Sequence, residues 1–212
     1  MIEQGSPEWH ALRCGKATAS RIADIVRKTK TGVSATRERY MGQLIAERLT
    51  GTVADSFKSS DMEWGTATEA EARIAYEFHR NQPVEPVDFV VHPGIAMSGA
   101  SPDGFVASDG LIEIKCPATH THVDTLLRRM VAPDYLIQMQ WQMACTGRQW
   151  CDFASYDPRM PEHMRLWVHR VQRDQEHIEQ LESAVRAFLS ELDDRVSELR
   201  AAYPAPTPMA AE

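Results

Sequence analysis

Two acids and a lysine stand at a spacing that suits metal-assisted hydrolysis: Asp103 in Ser101-Pro102-Asp103-Gly104, then, after nine intervening residues, Glu113-Ile114-Lys115. Side chains alternate along a strand, so Glu113 and Lys115 share one face, while Ile114 turns into the core and leaves its carbonyl near the acids. Asp103, at a turn beside the preceding strand, can meet Glu113 across a hairpin. Two converging carboxylates and a peptide carbonyl make a hard oxygen site suited to Mg²⁺, which keeps waters in the rest of its shell. A cation there lowers the pKa of water and offsets charge on a phosphate, and Lys115 can orient that water or stabilise its hydroxide form. The chemistry is phosphodiester hydrolysis. Taken bare, the same spacing also describes a surface hairpin with an ordinary ion pair. The Pro-Asp start, the apolar residues at 111, 112 and 114, and the Cys116-Pro117 stop read instead as a buried hairpin, where unpaired charge is costly.

The elements that must carry these residues can be read from caps and periodicity. Ser6-Pro7 opens a short helix over 7–13, Thr18-Ala19-Ser20 reads as a second N-cap, and Ser34 follows a polar loop over 28–33 to start a third helix closing at Gly51. Three helix starts are thus expected before any strand. A helix over 64–80 has Ala67, Ala70, Ile74, Ala75 and Phe78 as its expected packed stripe. Strands are expected at 86–92, 95–98, 104–107 and 111–115, helices at 122–130 and 133–146, and strands again at 149–156 and 165–171. Asp174 then caps a long helix with apolar positions at Ile178, Leu181, Val185, Phe188, Leu192, Val196 and Leu199. The expected organisation is one domain over 1–203: a helical N-terminal region (1–50), a core (60–172) and a C-terminal helix (174–201), before a disordered tail over 204–212.

Composition restricts the function classes. No run approaches the roughly 18 apolar residues that span a membrane, and Met1 to Ser6 lacks the character of a signal peptide, so a cytoplasmic protein is expected. Four scattered cysteines read as free thiols, and His120-x-His122 reads as an exposed helix start rather than a zinc site. Neither a Walker loop nor G-x-G-x-x-G is present. The net charge of −7 argues against nucleic acid, but residues 1–50 hold nine Lys/Arg against five Asp/Glu, net +4, leaving −11 for the remainder. That region could face DNA or simply be a solvated surface.

With these residues in view, the chain resembles the PD-(D/E)xK nucleases, and more closely the lambda exonuclease or YqaJ-type phage recombination nucleases. Besides the two hairpin blocks, the resemblance rests on Trp9-His10-x-x-Arg13-x-Gly15 with Thr18-Ala19-Ser20, Trp64-Gly65 followed by Glu69 and Arg73, Tyr135-x-x-Gln138-x-Gln140, and Tyr156-Asp157-Pro158-Arg159-Met160. It implies an α/β, restriction-endonuclease-like fold, a central mixed sheet flanked by helices. Asp103, Glu113 and the Ile114 carbonyl would hold Mg²⁺, for which Mn²⁺ could substitute, with Lys115 assisting the water and Glu69 serving a second ion or its waters. Arg13 and Ser20 would hold a 5′-phosphate, with Trp9, Thr18 and Ser101 near the DNA end and Gln138 and Gln140 near the metals. The implied activity is 5′-to-3′ digestion of one strand of duplex DNA to 5′-mononucleotides. The implied context is a homotrimer, encoded by a phage or prophage, that leaves a 3′-ended strand for a single-strand annealing protein in the bacterial cytoplasm. Plainer readings stand beside these roles: a surface Glu69 paired with Arg73, an exposed Arg13, Ser20 as a simple cap and Trp9 as a core residue. An endonuclease on the same fold, or a DNA-binding assembly protein with an inactive core, remain the alternatives.

Overall fold

The computed structural model describes residues 4–29, 32–53 and 60–204. Helix α1 (Pro7–Arg13) starts where the Ser6 hydroxyl accepts a hydrogen bond from the Trp9 amide and Pro7 fills the first turn. The next segment departs from expectation. Ala17–Thr18 is a strand, β1, followed by a 3₁₀ turn (Ala19–Arg21) and α2 (Ile22–Val26). Thr18 makes no side-chain cap; it is buried, and its amide donates to the Tyr40 hydroxyl at 3.1 Å. The cause is non-local: β1 pairs in parallel with β6 (Ile95–Ala100), drawing the segment into a sheet before the second helix begins. In place of the expected loop over 28–33, β2 (Lys28–Thr29) and β3 (Gly32–Val33) pair antiparallel. Helix α3 (Ala35–Thr50) is capped by Ser34 and closed by Gly51 at φ +71° as expected.

Helix α4 (Ser60–Arg80) starts ahead of Trp64, and its expected packed stripe is turned outward. Ala67 and Ala70 are exposed, as are Ile74 (66%) and Phe78 (90%), whereas Thr68, Ala72 and Tyr76 face the core and Ala75 is half-buried. Both stripes obey helical spacing. The inward one is selected because the Tyr76 hydroxyl reaches Asp152 at 2.9 Å, giving a buried acid a donor that an Ile/Phe stripe could not supply.

The remaining strands are β4 (Val84–Glu85), β5 (Val90–His92), β7 (Gly104–Val106), β8 (Gly110–Lys115), β9 (Trp150–Tyr156) and β10 (Leu166–Gln172), with α5 (Thr119–Arg128), α6 (Pro133–Thr146) and α7 (Gln175–Ala202). A five-stranded mixed sheet runs β10-β9-β8-β7-β4, with β8 and β9 parallel and the other neighbours antiparallel. A smaller sheet, β1-β6-β5, stands apart. One apolar cluster joins α4 to the large sheet through Ala72, Tyr76, Ile112 and Ile114. Another joins the opposite face to α6 through Leu111, Met139, Met143 and Phe153. The largest packs α2, α3, α6 and α7 around Tyr40, Trp141 and Phe188. Asp174 caps α7 by accepting from the His177 amide at 3.0 Å, and Ile178, Leu181, Val185, Phe188, Leu192 and Val196 are buried as expected. Leu199 lies at the exposed end of that stripe.

His122 is another correction. It is fully buried, with Nδ1 2.8 Å from the Ser155 hydroxyl and Nε2 2.8 Å from the Met164 carbonyl, so it ties α5 to the sheet instead of marking an exposed helix start. All four cysteines are free. Among the described residues no helix is long and apolar enough to cross a membrane. The tail expected to be disordered lies, beyond Pro204, outside the described residues.

Candidate active site

The hairpin β7–β8 brings the acids together. β8 is the middle strand of the large sheet, and period-two alternation sends Ile112, Ile114 and Cys116 toward α4 while Leu111, Glu113 and Lys115 face α6. Gly104 pairs with Ile112, so Asp103 stands just beyond the paired end of β7 beside Glu113, and its Oδ2 accepts from the Ile114 amide at 2.6 Å. Gly104 has to be glycine: a Cβ there would collide with the Val84 side chain and lie 3.1 Å from the Glu85 carbonyl.

Glu113 is almost wholly buried and closely surrounded by donors. Its Oε1 pairs with Lys115 Nζ and accepts from Gln138 Nε2 at 2.6 Å, and its Oε2 accepts from Gln142 Nε2 at 2.5 Å. Lys115 Nζ also lies 5.1 Å from the centroid of the Tyr135 ring. Gln138 is therefore at the acids, but Gln140 is not. Gln140 Nε2 donates to the Gln172 carbonyl at 2.8 Å, and its Oε1 accepts from the Asp174 amide at 2.9 Å, joining β10 to α7. Residues two apart on a helix point to opposite sides, whereas those four apart share a side. Gln142, one turn beyond Gln138, is the residue missed in the sequence, and that spacing was the signal available to find it.

A second cluster adjoins the first. Trp9 Nε1 and Arg13 Nη1 both donate to the Ser101 hydroxyl, at 3.0 and 3.2 Å, and the Arg13 guanidinium stacks 3.8 Å from the centroid of a Trp9 ring. Ser101 is two residues from Asp103, within about 7 Å along the chain. Gly15, at φ +67°, is tied to α3 by its amide, which donates to buried Glu47 at 2.8 Å, and by its carbonyl, which accepts from Arg48 at 3.0 Å. Ser20 is exposed in the 3₁₀ turn, whereas Thr18 is buried in β1. Among the described residues, four of the nine Lys/Arg of residues 1–50 are paired within the molecule, three of them with acids from later in the chain: Arg21 pairs with Asp24, Arg27 with Asp134, Arg37 with Glu191, and Arg48 with Asp193.

Residues 8–149 match the YqaJ-like viral recombinase domain. The chain belongs to that family. It is 47% identical to an alkaline exonuclease (LHK-Exo) from Laribacter hongkongensis, with a TM-score of 0.87 over 93% of this chain and 97% of that one. The same enzyme in complex with dAMP gives a TM-score of 0.88 at the same identity and coverage. A phage-related exonuclease from Haemophilus somnus 129PT, 18% identical, shares the fold with a TM-score of 0.72 over 87% of this chain and 96% of that one. No curated protein matches. This YqaJ-family chain is a nuclease with a PD-(D/E)xK-type core.

The electrostatics around Asp103 and Glu113 are unbalanced. Burial, then the neighbouring Glu113, raise the Asp103 pKa well above the usual carboxylate range; Glu69 adds to the rise and Lys115 opposes it. Burial would lower the Lys115 pKa, but Glu113 and Asp103 outweigh that effect and hold the ammonium charged. Arg13 is lowered by burial to about 10 and stays charged at neutral pH. Glu69 is near enough to influence Asp103 while pairing with Arg73 at 3.2 Å, so both readings of this residue have a footing. Asp103 is pushed toward its protonated form where no cation offsets the acids, which is the condition a divalent ion relieves. Among the described residues no three His, Cys, Asp or Glu side chains close a metal shell by themselves. Two carboxylates and a peptide carbonyl, completed by water, fit a hard divalent cation.

Proposed function

We propose that this nuclease is a Mg²⁺-dependent 5′-to-3′ exonuclease on double-stranded DNA, releasing 5′-mononucleotides and leaving a 3′-ended single strand for annealing. The observation that carries the reading is the adjacency of the Trp9, Arg13 and Ser101 cluster to Asp103 and Glu113. Arg13 holds Ser101, two residues from Asp103, so a terminal phosphate gripped at Arg13 would leave the adjacent phosphodiester in the neighbourhood of the acids. A guanidinium suits a phosphate geometrically and by charge, and Trp9 keeps its plane fixed. The dAMP complex of the Laribacter enzyme, a 5′-mononucleotide by its chemistry, accords with this reading.

In the mechanism, Asp103, Glu113 and the Ile114 carbonyl would hold Mg²⁺, with Glu69 supporting a second ion or its waters. When bound, the ion supplies Lewis-acid activation of water and neutralisation of phosphate charge. Lys115 Nζ, anchored on Glu113, directs its remaining donors at the attacking water. Gln138 holds Glu113, Arg13 grips the end with Trp9 stacked against it, and Ser20, exposed on its 3₁₀ turn, would add a hydroxyl to the phosphate, as the resemblance implies. The homotrimeric, phage-type assembly in the bacterial cytoplasm is what the family resemblance implies; the exposed Ile74 and Phe78 on α4 add only an apolar stripe that a second copy could cover.

The test compares linear with closed circular duplex, 5′-phosphate with 5′-hydroxyl ends, and Mg²⁺ with EDTA, alongside solution mass. Linear, 5′-phosphorylated duplex should be digested fastest and only with the metal. Arg13→Ala should remove a preference of about tenfold or more, the value of a charged hydrogen bond. Equal cutting of closed circles would replace this reading with an endonuclease.

A further inference from the structure

Glu113 offers about four lone-pair positions on its two oxygens. Lys115 and Gln138 occupy Oε1, and Gln142 occupies one side of Oε2, so these three donors leave a position on Oε2. Gln138 and Gln142 are one turn apart on α6, and together they fix the carboxylate plane relative to the helix. Gln142 is fully buried and points at no other acid. Its own amide has two orientations, one of which would set its oxygen against the carboxylate. The Cys151 thiol on β9 has two acceptors at 4.0 Å, Gln142 Oε1 and the Asp152 carbonyl, and when it donates to Gln142 it favours the orientation that presents Nε2 to Glu113.

We propose that Gln142, with its amide oriented by Cys151, is a positioning residue that aims the remaining lone pair of Glu113 Oε2 at the divalent cation. The proposal rests on the hydrolytic reading of Asp103 and Glu113. A neutral amide suits this position, since a lysine or arginine would cancel the charge that attracts the ion, and an apolar residue would leave a buried carboxylate oxygen without its partner. Outer-shell donors of this kind act on the ion through the ligand they hold.

The experiment measures the affinity of the DNA-free protein for Mn²⁺, read from the electron paramagnetic resonance signal of the free ion, together with steady-state digestion of linear duplex. Gln142→Met keeps length and apolar bulk but lacks the donor. It should bind Mn²⁺ about tenfold more weakly and lose kcat to a similar degree, with KM for DNA ends unchanged. Cys151→Ala leaves the amide in place but frees its rotation, and should weaken binding by about threefold, a fraction of the full loss. Glu113→Gln is the reference arm. Wild-type Mn²⁺ affinity in folded Gln142→Met overturns the proposal; should that variant not fold, wild-type affinity in Cys151→Ala overturns it. If wild type and Glu113→Gln bind Mn²⁺ equally, the hydrolytic reading of Glu113 falls and the proposal falls with it.

Discussion

Two buried carboxylates occupy neighbouring strands of the same sheet with opposite surroundings. Asp152 on β9 pairs with Ile112, so it lies on the α4 side, while Glu113 on β8 faces α6. Asp152 is closed: it accepts from Arg170 at 2.8 and 3.0 Å and from the Tyr76 hydroxyl at 2.9 Å, and Arg80 approaches to 3.3 Å. Two cations and a phenol more than satisfy one acid. At Glu113 the ratio is reversed, with two acids close together, a third, Glu69, within electrostatic reach, and one lysine between them. The burial is the same, but only the second arrangement calls for a cation from outside. Charge balance within the first few ångströms, rather than burial, separates a strut from a site.

The sharpest way to break that comparison is to neutralise one acid in each place. Asp103→Asn or Glu113→Gln should lower Mg²⁺-dependent digestion by about 10³-fold, because several kcal/mol of transition-state stabilisation depends on the held ion. Folding should survive, as judged by circular dichroism and an unchanged urea slope. Near-normal activity in either purified variant would place the chemistry elsewhere. Asp152→Asn should do the reverse. Specific activity of the folded fraction should hold, while the urea midpoint falls by an amount equivalent to about 2 kcal/mol. That is below the roughly 3–5 kcal/mol for breaking a fully buried pair, because the side chains of Arg80 and Arg170 are 34% and 39% exposed and can hydrate. Loss of activity without loss of stability in Asp152→Asn would erase the distinction between the two acids.

The active half of this comparison was more legible in the sequence than the structural half. Asp103, Glu113 and Lys115 sit on one hairpin, so turn chemistry and strand alternation were enough to converge them. What failed depended on partners distant in the chain. Thr18 reads as a cap from its neighbours, yet β6, some eighty residues later, makes it a strand. On α4 two stripes were possible, and Asp152 rather than hydrophobicity selected the one carrying Tyr76. His122 reads as a surface residue because Ser155 and the Met164 carbonyl, its partners, are remote. Gln140 and Gln142 differ only in which side of α6 they occupy, and counting turns from Gln138 would have separated them. The arginines of residues 1–50 were legible as charge but not as pairs, since the acids that bind Arg37 and Arg48 lie on α7.

The smallest predicted effect sharpens the same comparison in the metal-free protein, where the unbalanced site should carry a pH signature. Asp103 has its folded pKa raised above the unfolded value, first by burial and then by Glu113. At pH below the ordinary carboxylate range it is protonated both folded and unfolded, and contributes no difference. As pH rises through that range the unfolded chain releases the proton while the folded one keeps it, so folding takes up a proton and stability declines. The decline continues until the raised folded pKa is passed, then levels off. In EDTA, the melting temperature of Asp103→Asn should therefore exceed that of wild type by a margin that widens as pH rises above about 4, near the ordinary Asp value, and levels off once the raised folded pKa is passed. Adding Mg²⁺ should close the margin, because only the wild-type carboxylate gains from the ion and releases its proton on binding it. A margin independent of pH would show that the site carries no strain from its acids, and the contrast with Asp152 would then reduce to donor count alone.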